Sequence, residues 1–488
     1  MSSLDKILKE RLKKRKILKE RGKNPYPSFV SSTHKTQELL DNFSKLFREK
    51  KQVKIAGRLM SFRQHGGLTF GEIQDGDGKI QIAFREDALG KNTYAQVAEF
   101  IDVGDFLQVE GTLFKTKRGE KTLDVTNYNI ITKSIRPLPE KWHGLKDIES
   151  RYRTRELDLL MNPQAKEVFK KRSLIVSSIR EFLDQNGFME VEVPVLQVTP
   201  GGANATPFTT HLNAWDLDVA LRIAPEIYLK RLLVGSFDKV YEMGRNFRNE
   251  GVDYAHNPEF TMLEFYWAYS DYKEGMKFTE KMLRHIAKKV LGKQSFEFEG
   301  KKIDFSKSFE RVEFNELLQK HTNINYEDYN FQSLLKKAQE LSIKIDKKVF
   351  SKGEVADLIY KKMIQPKLVQ PTFVIHHPIE MKPLAKPLEQ NFAYAATMQL
   401  VVAGMELINA YSELNDPVIQ EENFKQQAQL RKKGDKEAQP FDKEFLEALE
   451  YGMPPAFGFG MGIDRLTVLL TDSHSLREVI LFPTMRPK

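Results

Sequence analysis

Residues 222–269 read RIAPEIYLKRLLVGSFDKVYEMGRNFRNEGVDYAHNPEFTMLEFYWAY. Two β-prone runs flank a polar loop, a pattern that predicts an antiparallel hairpin. Along a strand, successive side chains point to opposite faces, so residues two apart share one. Arg248 and Glu250 therefore project together before the loop, and Phe260, Glu264 and Tyr266 project together after it. One face thus offers a cation, carboxylates and aromatic rings. A guanidinium is a planar fork that donates two hydrogen bonds to an oxyanion, and aromatic faces suit a flat base, so the set fits a nucleoside triphosphate. A surface ion-pair network would account for isolated Arg and Glu residues, but not for a run this dense in them.

Two further segments follow the same logic. In GMPPAFGFGMGIDRLTVLL, 452–470, alternate glycines at 458, 460 and 462 strip one face of a strand, and Arg465 falls in the first turn of the helix that follows. The spacing matches neither the Walker phosphate loop nor the dinucleotide fingerprint. In MELINAYSELND, 405–416, Asn409, Tyr411 and Glu413 share a strand face. A carboxylate beside an aromatic ring suits an aliphatic cation: the ring packs on its stem, while Glu413, joined by Glu264, pairs with an ammonium. Alone, close helix packing would explain the glycines and an edge strand the polar alternation.

Outward from these motifs, residues 51–134 contain five short alternating runs. They include a hairpin across Asp75-Gly76-Asp77-Gly78 and predict a small OB-type barrel suited to nucleic acid. Residues 135–165 read as a charged, proline-containing linker, and 166–488 as a second domain of mixed helices and strands, beginning with a helix over 166–187 and a strand in MEVEVPVL. Residues 270–365 are lysine-rich and helical, without a chemical motif. The fold class is α+β. Residues 1–50 form a basic helical extension: 1–24 hold ten Lys/Arg against three Asp/Glu, about +7 of the net +9. Leu4, Leu8 and Leu12 would line one face of a helix able either to attract RNA phosphates or to pack on its own protein. Without cysteine there are no disulfides or thiolate metal sites. No run is long and apolar enough to span a membrane, and the N-terminus lacks the apolar core of a secretory signal, so a cytoplasmic location is expected.

The segments GFMEVEVPVL, RNFRNEG with HNPEFTMLEFYWAY, and GFGMGIDR resemble the three signature segments of the class II aminoacyl-tRNA synthetases. PGGANATPF, SELND and the N-terminal barrel resemble the lysine-specific branch, and the likeness covers nearly the whole chain. It implies an antiparallel catalytic sheet flanked by helices, an anticodon-binding OB domain, a homodimer with Pro194 at the interface, and ATP, L-lysine and tRNA(Lys) as substrates with Mg2+. Arg248 and Arg465 would be the catalytic cations. ATP would meet Arg248, Glu250, His256, Asn257, Phe260, Glu406 and Arg465, with adenine between Phe260 and Arg465. Lysine would meet Gly201 and Glu226 at its α-amino group, Arg248 and Asn409 at its carboxylate, Tyr411 along its stem, and Glu264, Tyr266 and Glu413 at its ε-ammonium. In the barrel, Arg58, Arg63, Phe70 and Gln81 would hold the anticodon.

This chain departs from the family pattern twice. Of the two carboxylates that hold magnesium it keeps Glu406 but has Gln399 at the other position, whose amide oxygen would still coordinate the ion without adding negative charge, and Thr206 stands where the family commonly has Arg. The rivals are an aspartate or asparagine synthetase, disfavoured by the acidic pocket residues; a lysine-transferring paralogue that modifies protein, disfavoured by the barrel; and an RNA-binding protein without activity, which leaves 166–488 unexplained.

Overall fold

The computed structural model describes residues 2–139, 145, 147–345, 349–435 and 437–487. The chain divides into two compact units, Met1–Gly144 and Leu145–Lys488.

In the first unit, helix α1 (Ser3–Glu20) precedes a closed five-stranded barrel of β1 (Val53–His65), β2 (Leu68–Gln74), β3 (Lys79–Arg85), β4 (Phe106–Lys115) and β5 (Lys121–Thr132), ordered β1-β2-β3-β5-β4. Inward residues such as Ile55, Ile73, Ile82, Phe84, Val109 and Val125 form its core. Helix α1 starts at Ser2, whose side chain and that of Asp5 cap each other's backbone amides. The leucine stripe does not become the buried face: Leu4 and Leu12 are exposed, while Arg11 and Leu18 are buried. Arg11 donates to the carbonyls of Val103, Ser134 and Arg136, and Lys14 pairs with Asp102 at 2.9 Å. Satisfying a buried guanidinium outweighs burying the leucine stripe here, so part of the basic arm is a packing element.

In the second unit, helix α2 (Pro163–Gln185) leads to an eight-stranded sheet. Its strands are β6 (Met189–Glu190), β7 (Lys239–Phe247), β8 (Glu259–Ala268), β9 (Glu310–Glu313), β10 (Thr372–Ile375), β11 (Thr397–Val402), β12 (Met405–Ser412) and β13 (Ala456–Gly462), ordered β9-β10-β11-β12-β13-β8-β7-β6. The outer pairs β6/β7 and β9/β10 are parallel and the rest antiparallel. Alternation divides the sheet. Phe265, Phe457, Phe459 and Met461 face a core completed by Phe188 and Phe278, with Phe265 and Phe459 stacked 4.3 Å apart. The residues between them face the other way. The predicted strand in MEVEVPVL is reduced to Met189–Glu190, and its last residue opens a separate short strand, Leu196–Gln197.

Two segments differ from expectation. Residues 140–144 and 146 of the expected linker lie outside the described residues, but Arg155 in its second half is buried, paired with Asp158 at 2.7 Å and bonded to carbonyls of Arg477, Ile480 and Leu481. That half belongs to the second unit. Residues 270–365 are not helical throughout: they hold a hairpin (Ser295–Phe298, Lys301–Asp304) and β9, besides helices α4 (Tyr272–Leu291) and α5 (Lys352–Met363); α3 is Glu226–Val234.

Candidate active site

The face of the sheet opposite the aromatic core floors a cavity of about 390 Å³. Register explains which residues reach it. Glu264 on β8 lies opposite Gly460 on β13, which lies opposite Asn409 on β12; in the next row Tyr266, Gly458 and Tyr411 align. The alternate glycines on β13 clear the middle of the floor. A Cβ at Gly458 would collide with the Glu413 carboxylate and come within 2.7 Å of the Tyr266 ring.

Twelve of the expected residues line this cavity: Glu226, Arg248, Glu250, His256, Asn257, Phe260, Glu264, Tyr266, Glu406, Asn409, Tyr411 and Arg465. Strict alternation from Asn409 would point Glu406 to the opposite face. A bulge with Leu407 as the extra residue, between the pairs Leu400–Ile408 and Val401–Glu406, turns it back to the cavity. Gly201 is buried off the wall; its neighbour Gly202 lines it in a left-handed conformation (φ +90°), and a Cβ there would lie 2.8 Å from Glu226 Cβ. Pro194 is exposed on the surface, outside the cavity. Thr206 accepts the Asn249 amide at its carbonyl (2.7 Å), tying its loop to the polar loop after β7.

Charge is unevenly distributed along the cavity. At one end Glu226 sits at the start of α3 and accepts Lys230 Nζ (2.8 Å) and Tyr411 Oη (2.7 Å) on the same oxygen. Lys230 also pairs with Glu413 Oε2 at 2.5 Å, and both are fully buried. Glu413 is not on the wall itself; its Oε1, which has no hydrogen-bond partner, borders Gly458. Burial would lower the Lys230 pKa, but Glu226 and Glu413 outweigh it and raise it, so the ammonium stays charged. Glu264, buried beside Tyr266 (3.4 Å), has its pKa pushed well up, first by desolvation and then by Glu226. Three carboxyl groups thus face one ammonium, and because burial pushes the pKa of both Glu264 and Glu413 well up, arriving cations would be needed to hold them ionised.

The other end is basic. Arg248 lies with its guanidinium 5.1 Å from the Phe260 ring centre, and its Nε is buried without a partner, an arrangement suited to an arriving anion. Arg465, in the first turn of helix α6 (Ile463–Thr471), donates to the Glu406 carbonyl at 2.7 Å. Lys382, which the sequence did not single out, lines the cavity and donates to Asn409 Oδ1 at 2.9 Å. Burial lowers its pKa while Glu406 and Asp357 pull the other way. For Glu406, desolvation would raise the pKa, but Arg465, Lys361, Lys382 and a hydrogen bond with Gln399 hold it down.

Gln399 does not fit as a magnesium ligand. It is buried, and its carbonyl oxygen accepts Tyr360 Oη at 2.9 Å, which leaves the amide N–H groups to face the Glu406 carboxylate. A donor stands where a metal site needs an acceptor. Among the described residues no three Asp, Glu, His or Cys side chains cluster in a way that could hold a metal ion.

On the barrel, Arg63 pairs in register with Phe70, and Glu72 with Gln81, all on the outer face. A bulge at Met60 brings Arg58 to that face too, with its guanidinium 4.2 Å from the Phe106 ring centre. The Gln81 carbonyl accepts Thr122 Oγ1 at 2.7 Å, so its amide N–H groups face outward.

Residues 147–486 match the family model for class II tRNA synthetases (D, K and N), and residues 53–131 that for an OB-fold nucleic-acid-binding domain. Curated relatives include the lysine–tRNA ligases of Carboxydothermus hydrogenoformans (47% identical, 99% of both chains) and Pelotomaculum thermopropionicum (46%, 99% of this chain and 96% of the relative). That of Clostridium perfringens is 47% identical over 98% of this chain and 96% of its own.

Proposed function

Because the chain belongs to the class II tRNA synthetases and, within them, to the lysine–tRNA ligases, we propose that its cavity seats lysine at the acidic end and ATP at the basic end, in line for adenylate formation. The carrying observation is the set of three buried carboxyl groups around one resident ammonium: lysine brings two further ammonium groups, which would hold them ionised. Glu226 and the Gly201-Gly202 backbone would take the α-ammonium; Glu264, Tyr266 and Glu413 Oε1 the ε-ammonium; Tyr411 the stem. The substrate carboxylate would then point toward Asn409 and Arg248. Phosphates would lie between Arg248 and Arg465, the base between Phe260 and Arg465, and Glu250, His256 and Asn257 at the mouth.

No protein nucleophile is needed. A lysine carboxylate oxygen bonds to the α-phosphorus as the bond to pyrophosphate breaks, and Arg248 and Arg465 offset the charge that builds on the phosphates. The terminal ribose hydroxyl of tRNA then takes the lysyl group and AMP leaves. Magnesium is ATP's usual companion in this family; since Gln399 does not fit a protein-held ion, no step is routed through one. The outer barrel face would stack an anticodon base on Phe70, with Gln81, Arg58 and Arg63 around it. Pro194 lies among the exposed apolar residues Val195, Leu196 and Val198, a surface that a second copy would cover in a homodimer.

Arg248→Ala should abolish lysine-dependent ATP–pyrophosphate exchange while leaving tRNA binding largely intact. Near-normal exchange would falsify the assigned role.

A further inference from the structure

The disagreement at Gln399 has a counterpart one residue away across the sheet. Gln399 is the register partner of Asn409, and Asn409 Oδ1 holds the Lys382 ammonium at 2.9 Å. Lys382 and Glu406 both line the cavity. Formal charges then sum in an informative way: two carboxylates and a divalent cation give zero, and Gln399, Glu406 and Lys382 also give zero. A cation-holding acceptor has been replaced by an amide donor, and a covalently attached cation lines the same cavity as the remaining carboxylate.

We propose that Lys382 is a phosphate-binding residue of the adenylation site, whose ammonium supplies the charge that a protein-held magnesium ion would otherwise bring beside Glu406. The inference rests on the reading of this cavity as the adenylation site. In the step concerned, the lysine carboxylate oxygen bonds to the α-phosphorus and the bond to pyrophosphate breaks; Lys382 keeps its proton throughout and acts by charge and by its donors toward the phosphate oxygens. Two features make it suitable. The ammonium has three donors, of which the bond to Asn409 uses one. Asn409 also fixes its position from the floor of the cavity, so little reorganisation accompanies ATP binding. Tyr360, from α5, is part of the arrangement: by occupying the Gln399 oxygen it leaves that amide only N–H groups to offer beside Glu406, where a metal site would need a second acceptor.

The test is ATP binding by calorimetry with the full-length protein, in excess chelator and again with saturating magnesium. The wild type should bind ATP in chelator within about tenfold of its affinity with magnesium, and Lys382→Met should lose at least tenfold of the chelator affinity while its lysine affinity changes less than threefold. Unchanged chelator affinity in Lys382→Met, or a wild type that binds no ATP without magnesium, would overturn the proposal. A second pair of measurements covers the case in which Lys382→Met does not fold. Equilibrium dialysis with Mn2+ in the presence of ATP should count at least one more bound ion in the Gln399→Glu/Lys382→Ser double variant than in the wild type, and equal counts would refute the exchange of ion for ammonium. Lysine-dependent exchange by the wild type at saturating magnesium is scored separately: its loss would sink the reading of the site, whereas its presence with either failure above would sink only the role of Lys382.

Discussion

Glu264 sits in an environment that disfavours its charged form when no ligand is bound. Desolvation, then the nearby Glu226 charge, pushes its pKa well up, while Arg248, Tyr266 and Arg222 pull it down. A carboxyl whose folded pKa exceeds its unfolded value binds protons more tightly when folded, so it destabilises the fold once pH rises through its unfolded pKa, and fully so above its folded pKa. Glu264→Gln should therefore raise the melting temperature of the ligand-free protein at neutral pH while raising KM for lysine at least tenfold, with KM for ATP within about threefold. A variant that melts lower and keeps its lysine KM would contradict this. The same sign gives a pH dependence: the lysine ammonium needs the ionised carboxylate, so KM for lysine should climb as pH falls through the raised pKa, with the ATP requirement much less affected. Equal slopes for both substrates would refute it. Glu264 was legible in the sequence because its strand parity with Phe260 and Tyr266 was plain. Lys230 and Lys382 were not: a lysine four residues after Glu226 on a helix, or one in a loop, looks like any solvated lysine until the fold folds it inward.

At the scale of elements, the FGFGMG alternation in β13 does two things at once. Phe457, Phe459 and Met461 fill the core on one face, and the glycines leave the other open to the cavity. Burying each such side chain is worth about 1.5–3 kcal/mol, so the strand is held from behind and need not be held from the front. Gly458→Ala would press a methyl group into Glu413 and Tyr266. The expected outcome is a fall of at least a hundredfold in kcat/KM for lysine with nucleotide binding retained, measured by exchange and by calorimetry. The glycines could be read directly from the sequence because their period matches the strand. The two bulges could not. Arg58 and Arg63 are an odd number of residues apart, as are Glu406 and Asn409, so simple alternation sends one of each pair to the wrong side. The extra residues Met60 and Leu407 correct both, and nothing in their identity announces it.

Over the whole molecule, the two units divide the work in the proposed scheme: amino-acid activation needs only the cavity residues of 145–488, and tRNA selection adds the barrel. Phe70→Ala with Arg63→Ala in the full chain should leave lysine-dependent exchange within twofold of wild type and raise KM for tRNA in aminoacylation at least tenfold. Loss of exchange would show that the barrel also acts in activation. The boundary was the least legible feature at this scale. The stretch 135–165 has the composition of a linker, yet Arg155 and Asp158 form a buried pair in the second unit, and neither proline content nor charge reveals a contact made more than 300 residues along the chain.

The most direct test of the charge-divided cavity is ATP–pyrophosphate exchange with lysine against norleucine, which keeps the stem and loses the ε-ammonium. A site built around a buried charge rejects the analogue that leaves it unpaired, so kcat/KM should fall on the order of 10⁴-fold with norleucine. Comparable exchange with the two amino acids would contradict the assignment of Glu264 and Glu413, and with it the account of why this cavity selects lysine.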